Sequence, residues 1–157
     1  MPEPAVAALV VDGGADLRAR AGDELGVSDW YEVTQAVVDA FAACTEDFQW
    51  IHVDVDRARA SEAGTTIAHG LLTLSLGPRF NDEIFRVEGF RQALNYGYEK
   101  VRFPAPVPVG ERLRMRALLL TAVEVPGGVQ TVIRQTYELG SGGKPACVAD
   151  AVTRWVR

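Results

Sequence analysis

The second half of the chain alternates apolar and polar residues in the way that a half-buried β-strand requires. Over residues 112–124 the apolar positions fall on one face and the charged positions on the other. The apolar set is Leu113, Met115, Ala117, Leu119 and Val123, opposite Arg112, Arg114, Arg116 and Glu124. A Pro-Gly-Gly step at 126–128 predicts a hairpin turn, and alternation resumes over 129–139. A second turn at 141–145 leads into a last strand over 146–156.

A longer extended segment precedes these hairpins. Residues 88–103 are predicted to form one strand, with Gly97 marking a bulge. A proline-rich stretch over 104–110 gives a stiff connection to the next strand. The strands together predict a long antiparallel meander.

Helical spacing is concentrated between residues 34 and 85. Thr34 is predicted to cap a helix that ends near Thr45, because apolar residues follow it at helical spacing. A short helical turn is expected over 56–62, capped by Asp54 or Asp56.

A third helix is predicted to begin at the His69-Gly70 step. Its first turns carry leucines nearly all round, and a helix without a polar face is a buried helix. These leucines are Leu71, Leu72, Leu74 and Leu76. Pro78 is expected to bend or end this helix.

One sheet and one apolar helix predict an α+β domain in which the antiparallel sheet curls around a long buried central helix. This is the hot-dog arrangement, although the pattern by itself leaves other α+β folds open. We expect one domain over 1–157, with residues 1–20 loosely assigned as an N-terminal extension.

Composition excludes several classes of function. The formal net charge of -5 argues against a nucleic-acid surface. No positive segment precedes the apolar residues 5–11, and no apolar run reaches the length of a membrane span, so we expect a cytoplasmic protein without membrane contact. Cys44 and Cys147 show no metal-ligand spacing and are expected to be small core residues in a reducing compartment.

The chain has two histidines, and the first stands near a carboxylate. Asp47 and His52 lie five residues apart, where one helix ends and a loop begins. An imidazole beside a carboxylate is a common acid–base pair near neutral pH. On spacing alone the pair is equally compatible with a loop histidine bonded to a carbonyl and a solvated aspartate.

The second histidine opens the apolar helix. At the start of a helix the backbone N–H groups have no internal partner, so they can stabilise a developing oxyanion. Gly70 would let a substrate approach the backbone closely. A plain turn into a core helix, with His69 as its cap, accounts for the same pattern.

The order and spacing of the two signals resemble the MaoC-like, or R-specific enoyl-CoA hydratase, family. Its pattern runs approximately F-A-x-x-T-G-D-x-N-P-I-H-x-D, followed after a short helix by G-x-x-I-A-H-G. This chain reads Phe41-Ala42-Ala43-Cys44-Thr45-Glu46-Asp47-Phe48-Gln49-Trp50-Ile51-His52-Val53-Asp54 and then Gly64-Thr65-Thr66-Ile67-Ala68-His69-Gly70. The similarity covers roughly residues 20–157 and is strongest to the nodulation-protein-N-like subgroup.

The resemblance implies an enzyme that adds water (syn) to a trans-2-enoyl-CoA and gives an R-3-hydroxyacyl-CoA, reversibly. Asp47 and His52 would be its acid–base pair, and Gly70 would supply the N–H for the thioester oxyanion. The resemblance leaves open which member of the pair is the base. It also implies a homodimer and no cofactor or metal, since coenzyme A is part of the substrate.

Five residues are weaker candidates for contact with the substrate: His69, Ser75, Trp50, Asn95 and Tyr96. Ser75 is equally compatible with a bond to its own helix. The family pattern has Gly and Asn-Pro where this chain has Glu46 and Gln49-Trp50. These differences leave open which acyl chains the site would accept.

Two alternatives stay open. A hot-dog thioesterase would hydrolyse the thioester instead, but such enzymes generally carry a carboxylate on the central helix, and residues 71–80 contain none. A non-catalytic acyl-thioester-binding or dehydratase partner subunit would be favoured by a damaged Asp/His pair.

Overall fold

A computed structural model describes residues 8–157 of the chain. The predicted extension over 1–20 is thus described only from residue 8, and the first residues of the apolar N-terminal segment lie outside this part. The elements of the first half are β1 (Leu9–Asp12), α1 (Gly13–Ala19), β2 (Glu24–Val27), β3 (Tyr31–Glu32), α2 (Gln35–Thr45), α3 (Trp50–Val53) and α4 (Val55–Arg59). The second half contains α5 (Gly70–Ser75), α6 (Gly77–Ile84), β4 (Phe85–Glu88), β5 (Gln92–Arg102), β6 (Arg112–Val125), β7 (Gly128–Leu139) and β8 (Cys147–Val156).

The main sheet is antiparallel and has the order β2-β6-β7-β8-β5, with β3 also paired to β6. The hairpins β6–β7 and β7–β8 confirm the turns predicted at 126–128 and 141–145. The pairing of β5 with β8 shifts register between Asn95 and Gly97, which confirms the predicted bulge. β5 forms one edge of this sheet.

The alternation predicted for β6 holds only along its first half. Leu113, Met115 and Leu119 are fully buried, but Val123 is 50% exposed. The pairing with β7 shifts register between Leu119 and Thr121, and a shift of one residue moves the following side chains to the opposite face. Placing Val123 on the buried face was therefore wrong.

The predicted strand over 88–103 is also divided. β4 ends at Glu88 and pairs in parallel with β1 in a separate two-stranded sheet, whereas β5 begins only at Gln92. The sequence pattern did not predict β1 or α1. Val11 and Leu17, from these two elements, are fully buried in the same core as the main sheet.

The helices α2 and α4 begin at the predicted N-cap residues. Thr34 accepts a hydrogen bond from the Val37 N–H at the start of α2, and Asp54 accepts one from the Arg57 N–H at the start of α4. The helix predicted at His69-Gly70 is interrupted at Leu76, where α5 ends and α6 begins with Pro78 in its first turn. Proline favours the first turn of a helix because it has no N–H to leave unpaired.

The two-part central helix packs against the main sheet, α5 on β8 and α6 on β6. Leu72 and Phe80 are buried, and the Tyr137 hydroxyl of β7 donates to the Leu74 carbonyl at 3.1 Å. Leu71, which was expected to be buried, is 63% exposed. α5 therefore has one face that this chain leaves uncovered.

The two cysteines occupy different environments. Cys147 is buried, as predicted, and burial raises the pKa of its thiol to about 12. Cys44 is exposed near the end of α2, so its prediction as a core residue was wrong. Among residues 8–157, no helix combines the length and hydrophobicity needed to cross a bilayer. The cytoplasmic location stays a prediction.

Candidate active site

The site begins where α2 ends. Glu46 is the C-cap of α2 and has a left-handed backbone, with φ of 59°. This geometry accounts for the glycine of the family pattern at the same position, because glycine adopts positive φ without strain. The turn places the Asp47 side chain at the mouth of a cavity, with 52% of it exposed.

His52 lies in the single turn of α3, where the sequence had predicted a loop. Its ring is 6% exposed, and Nδ1 lies 2.6 Å from the carbonyl oxygen of Ile67. A carbonyl oxygen only accepts hydrogen bonds, so Nδ1 carries the proton in the neutral ring. The other nitrogen, Nε2, is then an unprotonated acceptor, as a general base requires.

The second histidine stands against the first. The rings of His52 and His69 are stacked with centroids 3.8 Å apart, and His69 is 3% exposed. His69 Nε2 lies 3.0 Å from the Asp47 carbonyl oxygen and 4.0 Å from its carboxylate Oδ2. His69 thus donates to the backbone of Asp47 and holds the loop that carries the carboxylate.

Gly70 is the first residue of α5, with His69 as the extended N-cap. Its backbone N–H belongs to the first turn, where helical N–H groups lack an intrahelical partner. A Cβ atom built on Gly70 would lie 3.1 Å from the ring of Phe103. The absence of a side chain therefore leaves the ring and this backbone segment in close approach.

Two adjoining cavities meet at His52 and Gly70. One, of about 280 Å³, is lined by Asp47, His69 and Phe41 as well. The other, of about 420 Å³, is walled mainly by apolar residues such as Ile67 and Phe103. A substrate bound across both would place its reacting atoms at the boundary and an apolar chain in the larger cavity.

A glutamine side chain on α2 is hydrogen-bonded to the backbone of His52. Gln35, in the first turn of α2, donates from Nε2 to the His52 carbonyl oxygen at 2.8 Å and accepts from the Thr66 hydroxyl through Oε1. This bridge ties α2 and α3 to the segment before Gly70. Gln35 was not predicted as a site residue, since nothing in its helical spacing distinguishes it from a surface glutamine.

The structure brings Asp47, His52, His69 and Gly70 together. It places Trp50, Ser75, Asn95 and Tyr96 away from both cavities. The Arg57 guanidinium covers the Trp50 ring at 4.3 Å, and the Ser75 hydroxyl donates to the Leu72 carbonyl within its own helix. Asn95 and Tyr96 are exposed on the edge strand β5. Their roles in substrate binding stay predictions.

Three of the clustered groups could hold a cation. One potential ligand atom from each of Asp47, His52 and His69 lies within 4.8 Å of the others. One nitrogen of each histidine is already bonded to a backbone carbonyl, which leaves His52 Nε2, His69 Nδ1 and the carboxylate. The sequence contains no spacing that points to a metal, and the expectation of no metal stays a prediction.

Two more cavity residues escaped the sequence analysis. Phe103 is the last residue of the strand predicted over 88–103, and its place there indicated no role in the site. Thr73 lies within the leucine-rich start of α5, where its apolar neighbours conceal it.

Curated relatives cover most of the chain. The 3-hydroxyacyl-thioester dehydratase Z of Mycobacterium tuberculosis is 50% identical over 143 residues, which span 90% of this chain and 95% of the relative. Nodulation protein N of Rhizobium leguminosarum is 40% identical over 143 residues, or 88% of each chain. The first of these relatives, a dehydratase by name, supports the predicted hydro-lyase activity.

Solved structures share the fold. The unliganded R-hydratase PhaJ1 of Pseudomonas aeruginosa superposes with a TM-score of 0.74 at 20% identity, over 92% of this chain and 86% of its own. The ChsH1–ChsH2 complex of M. tuberculosis, an assembly of two different proteins, gives a TM-score of 0.66 at 20% identity, with coverages of 87% and 98%. The hot-dog fold predicted from the sequence is confirmed.

The sequence match is to the family described as MaoC like domain, over residues 16–137. This range contains Asp47, His52 and Gly70 and more than half of the chain. The predicted family is therefore correct: the chain belongs to the MaoC-like domain family.

Proposed function

We propose that the protein is an R-specific enoyl-CoA hydratase, which adds water to a trans-2-enoyl-CoA and also catalyses the reverse dehydration. The observation that carries the proposal is that Asp47, His52 and Gly70 line one cavity, with potential ligand atoms of Asp47 and His52 within 4.8 Å of each other. The groups they offer are a carboxylate, an imidazole nitrogen and a backbone N–H of a first helical turn. The first two suit a bound water, and the third suits a thioester carbonyl.

In this mechanism, Asp47 and His52 hold one water over the β-carbon of the substrate. His52 Nε2 takes a proton from the water as its oxygen bonds to the β-carbon. The imidazolium then returns that proton to the α-carbon from the same face, so the net change is syn addition of one water molecule. The Asp47 carboxylate accepts from the water and stabilises the positive ring beside it.

Negative charge accumulates on the thioester oxygen as the enolate forms. The Gly70 N–H would donate to this oxygen, and the bond would strengthen as the charge develops. α5 has only six residues, so the donor itself, more than a long helix dipole, supplies the stabilisation.

The reaction as proposed needs no cofactor and no metal. Coenzyme A enters and leaves as part of the substrate. A metal held by Asp47, His52 and His69 would occupy the nitrogen and the carboxylate that the water requires, so it would compete with this chemistry.

The proposed assembly is a homodimer joined at the edge strand β5. Ten of its eleven residues are exposed, and they include the large side chains of Leu94, Tyr96 and Tyr98. Natural sheets protect such edges, and a second copy of β5 would pair with this one. Static light scattering tests this: a dimer mass is expected, and a monomer mass at assay concentration contradicts it.

The alternative of a hot-dog thioesterase has less support. Within residues 70–80, which comprise α5 and the first turn of α6, there is no carboxylate. Asp82 and Glu83 lie near the far end of α6 and line neither cavity. A binding subunit without catalysis is disfavoured by the intact pair at 4.8 Å or less.

One assay separates the three functions. Purified protein is mixed with crotonyl-CoA, and the loss of enoyl absorbance and the release of free thiol are followed in the same cuvette. We expect loss of enoyl absorbance with no thiol release. Thiol release alone would establish the thioesterase, and no change in either signal would favour the binding subunit.

The same assay tests the finer claims. Addition of EDTA should leave the rate unchanged, and a rate that falls and recovers with a divalent metal would contradict metal-free catalysis. Oxidation of the product by an R-specific, but not an S-specific, 3-hydroxyacyl-CoA dehydrogenase is the stereochemical result expected.

A further inference from the structure

One hydroxyl in the larger cavity lacks a hydrogen-bond partner among residues 8–157. Thr73, on α5, is 1% exposed, and no protein group in this range lies within bonding distance of its Oγ1. Helical threonines usually donate to a carbonyl one turn earlier. The Ser75 hydroxyl, two residues further along, does bond this way to Leu72 at 2.8 Å. The Thr73 hydroxyl is therefore turned away from the bond that its own helix offers.

The position of Thr73 relates this hydroxyl to the active site. Thr73 lines the same cavity of about 420 Å³ as His52 and Gly70. The remaining lining is apolar, from residues such as Ile51, Ile67, Phe103 and Val107. A hydroxyl on such a wall costs folding free energy when it is unpaired, whereas a valine of the same shape would not.

We propose that the Thr73 hydroxyl is a recognition element for an oxygen carried by the acyl chain, so that the enzyme prefers acyl thioesters with a hydroxyl or keto group beyond the reacting double bond. The proposal rests on the proposed hydratase function. A threonine hydroxyl both donates and accepts, so it can bond either kind of oxygen. The oxygen is itself buried, so the bond forms only when such a chain fills the cavity and the hydroxyl turns toward it.

The helix geometry indicates which part of the chain Thr73 would meet. Thr73 lies three residues after Gly70, a rise of roughly 4.5 Å along the axis of α5. If the thioester carbonyl lies at the Gly70 N–H and the acyl chain fills the larger cavity, which Gly70 and Thr73 both line, the chain would pass Thr73 after the reacting carbons. The oxygen would therefore be carried on a carbon beyond the β-carbon.

The test compares two substrates that differ in one oxygen, trans-2-hexenoyl-CoA and 5-hydroxy-trans-2-hexenoyl-CoA. The wild type is expected to have the higher kcat/KM for the hydroxylated substrate. Thr73→Val removes the hydroxyl with little change of shape, and it should lower the hydroxylated-to-plain ratio about tenfold, as expected for one lost hydrogen bond. Thr73→Ser keeps the hydroxyl and should keep the preference.

The control variant is Thr153→Val, which removes a buried threonine hydroxyl on β8, outside the cavities described above. It should leave the substrate ratio unchanged. An unchanged ratio in Thr73→Val, or an equal loss on both substrates, would overturn the recognition role. The melting temperature of Thr73→Val should equal or exceed that of the wild type, because no hydrogen bond within the protein is lost.

A binding measurement separates this proposal from the hydratase proposal. Hexanoyl-CoA and 5-oxohexanoyl-CoA have no double bond, so calorimetry reports their affinity without any reaction. Tighter binding of the oxo compound by the wild type supports recognition by Thr73, and equal affinities overturn it. If the protein binds them unequally but hydrates neither hexenoyl substrate, only the hydratase function has failed.

Discussion

The imidazole rings of His52 and His69 are stacked, with centroids 3.8 Å apart and planes inclined by 23°. One nitrogen of each ring is hydrogen-bonded to a backbone carbonyl. The partner is the carbonyl of Ile67 for His52 and that of Asp47 for His69. The stack joins the two halves of the sequence motif.

His69 is expected to position Asp47 while staying out of the proton transfers. His69→Phe keeps an aromatic ring against His52 but removes the bond to the Asp47 carbonyl. We expect kcat for crotonyl-CoA hydration to fall about tenfold, the value of one hydrogen bond, with KM nearly unchanged. His69→Gln retains an N–H donor, so its kcat should fall less than that of His69→Phe. Wild-type kcat in His69→Phe would contradict the positioning role.

Gly70→Ala tests access to the backbone donor. The added methyl would lie 3.1 Å from the Phe103 ring, which is 44% exposed and free to move, so the variant should fold normally. We expect kcat/KM to fall about 100-fold, because the methyl narrows the approach of the thioester oxygen to the N–H. In Gly70→Ala/Phe103→Ala the ring is removed and the methyl stays. Full recovery of kcat/KM in this double variant would assign the loss to the displaced ring and contradict the role of the donor.

Glu46→Gly should stabilise the protein. Glu46 has a φ of 59°, a left-handed conformation that costs a residue with a Cβ roughly 1–2 kcal/mol. Glycine at this position would relieve the strain. Part of the stability so gained is offset by the greater chain entropy of glycine in the unfolded state, so the expected increase in unfolding free energy is about 0.5–1 kcal/mol. Urea denaturation measures it. Glu46→Ala, which keeps the strain, is the control, and an equal effect of both variants would rule out the backbone explanation.

The stability of the sheet should depend on pH through Asp150. Arg134 donates hydrogen bonds of 2.8 and 2.9 Å to its carboxylate and so lowers the pKa of Asp150, with a further contribution from the charge of Lys100. The folded pKa lies below the unfolded value of 3.8, so the stabilisation is present above that value and is lost as the pH falls through the folded pKa.

Asp150→Asn should therefore cost about 1–2 kcal/mol of unfolding free energy at pH 7 and progressively less as the pH falls below 4. Urea denaturation at several pH values measures the difference from wild type. Asp56→Asn, in an ion pair whose carboxylate is 95% exposed, is the matched control and should cost little. If the unfolding free energies of wild type and Asp150→Asn differ by the same amount at every pH, the stabilising role of the Asp150–Arg134 ion pair is contradicted.

Much of the fold follows from local patterns in the sequence. The alternation in β6 and β7, the caps of α2 and α4 and the glycine bulge at Gly97 are all set by neighbouring residues. Val123 was misplaced because the register shift after Leu119 depends on pairing with β7. β1 and α1 were missed because their burial depends on a distant partner, β4.

The candidate site was predictable only in part, for similar reasons. The order of Asp47, His52 and Gly70 along the chain marked the motif before any contact was known. The stack of His52 on His69 and the unpaired hydroxyl of Thr73 arise from tertiary packing, which spacing does not encode. The exposure of β5 follows from its edge location in a single chain. Leu71 looked like a core position because the run of leucines does not show which face of α5 is covered.

The most direct test of the proposed chemistry is the kcat/KM of Asp47→Asn for crotonyl-CoA hydration. Asparagine keeps the size of the side chain and removes the charge that holds the water and stabilises the His52 imidazolium. Because Asp47 is half exposed, the fold should be unaffected, as a matching melting temperature would show. The expected result is a fall in kcat/KM of about 10²–10⁴-fold. A folded Asp47→Asn enzyme with near-normal hydration would contradict it.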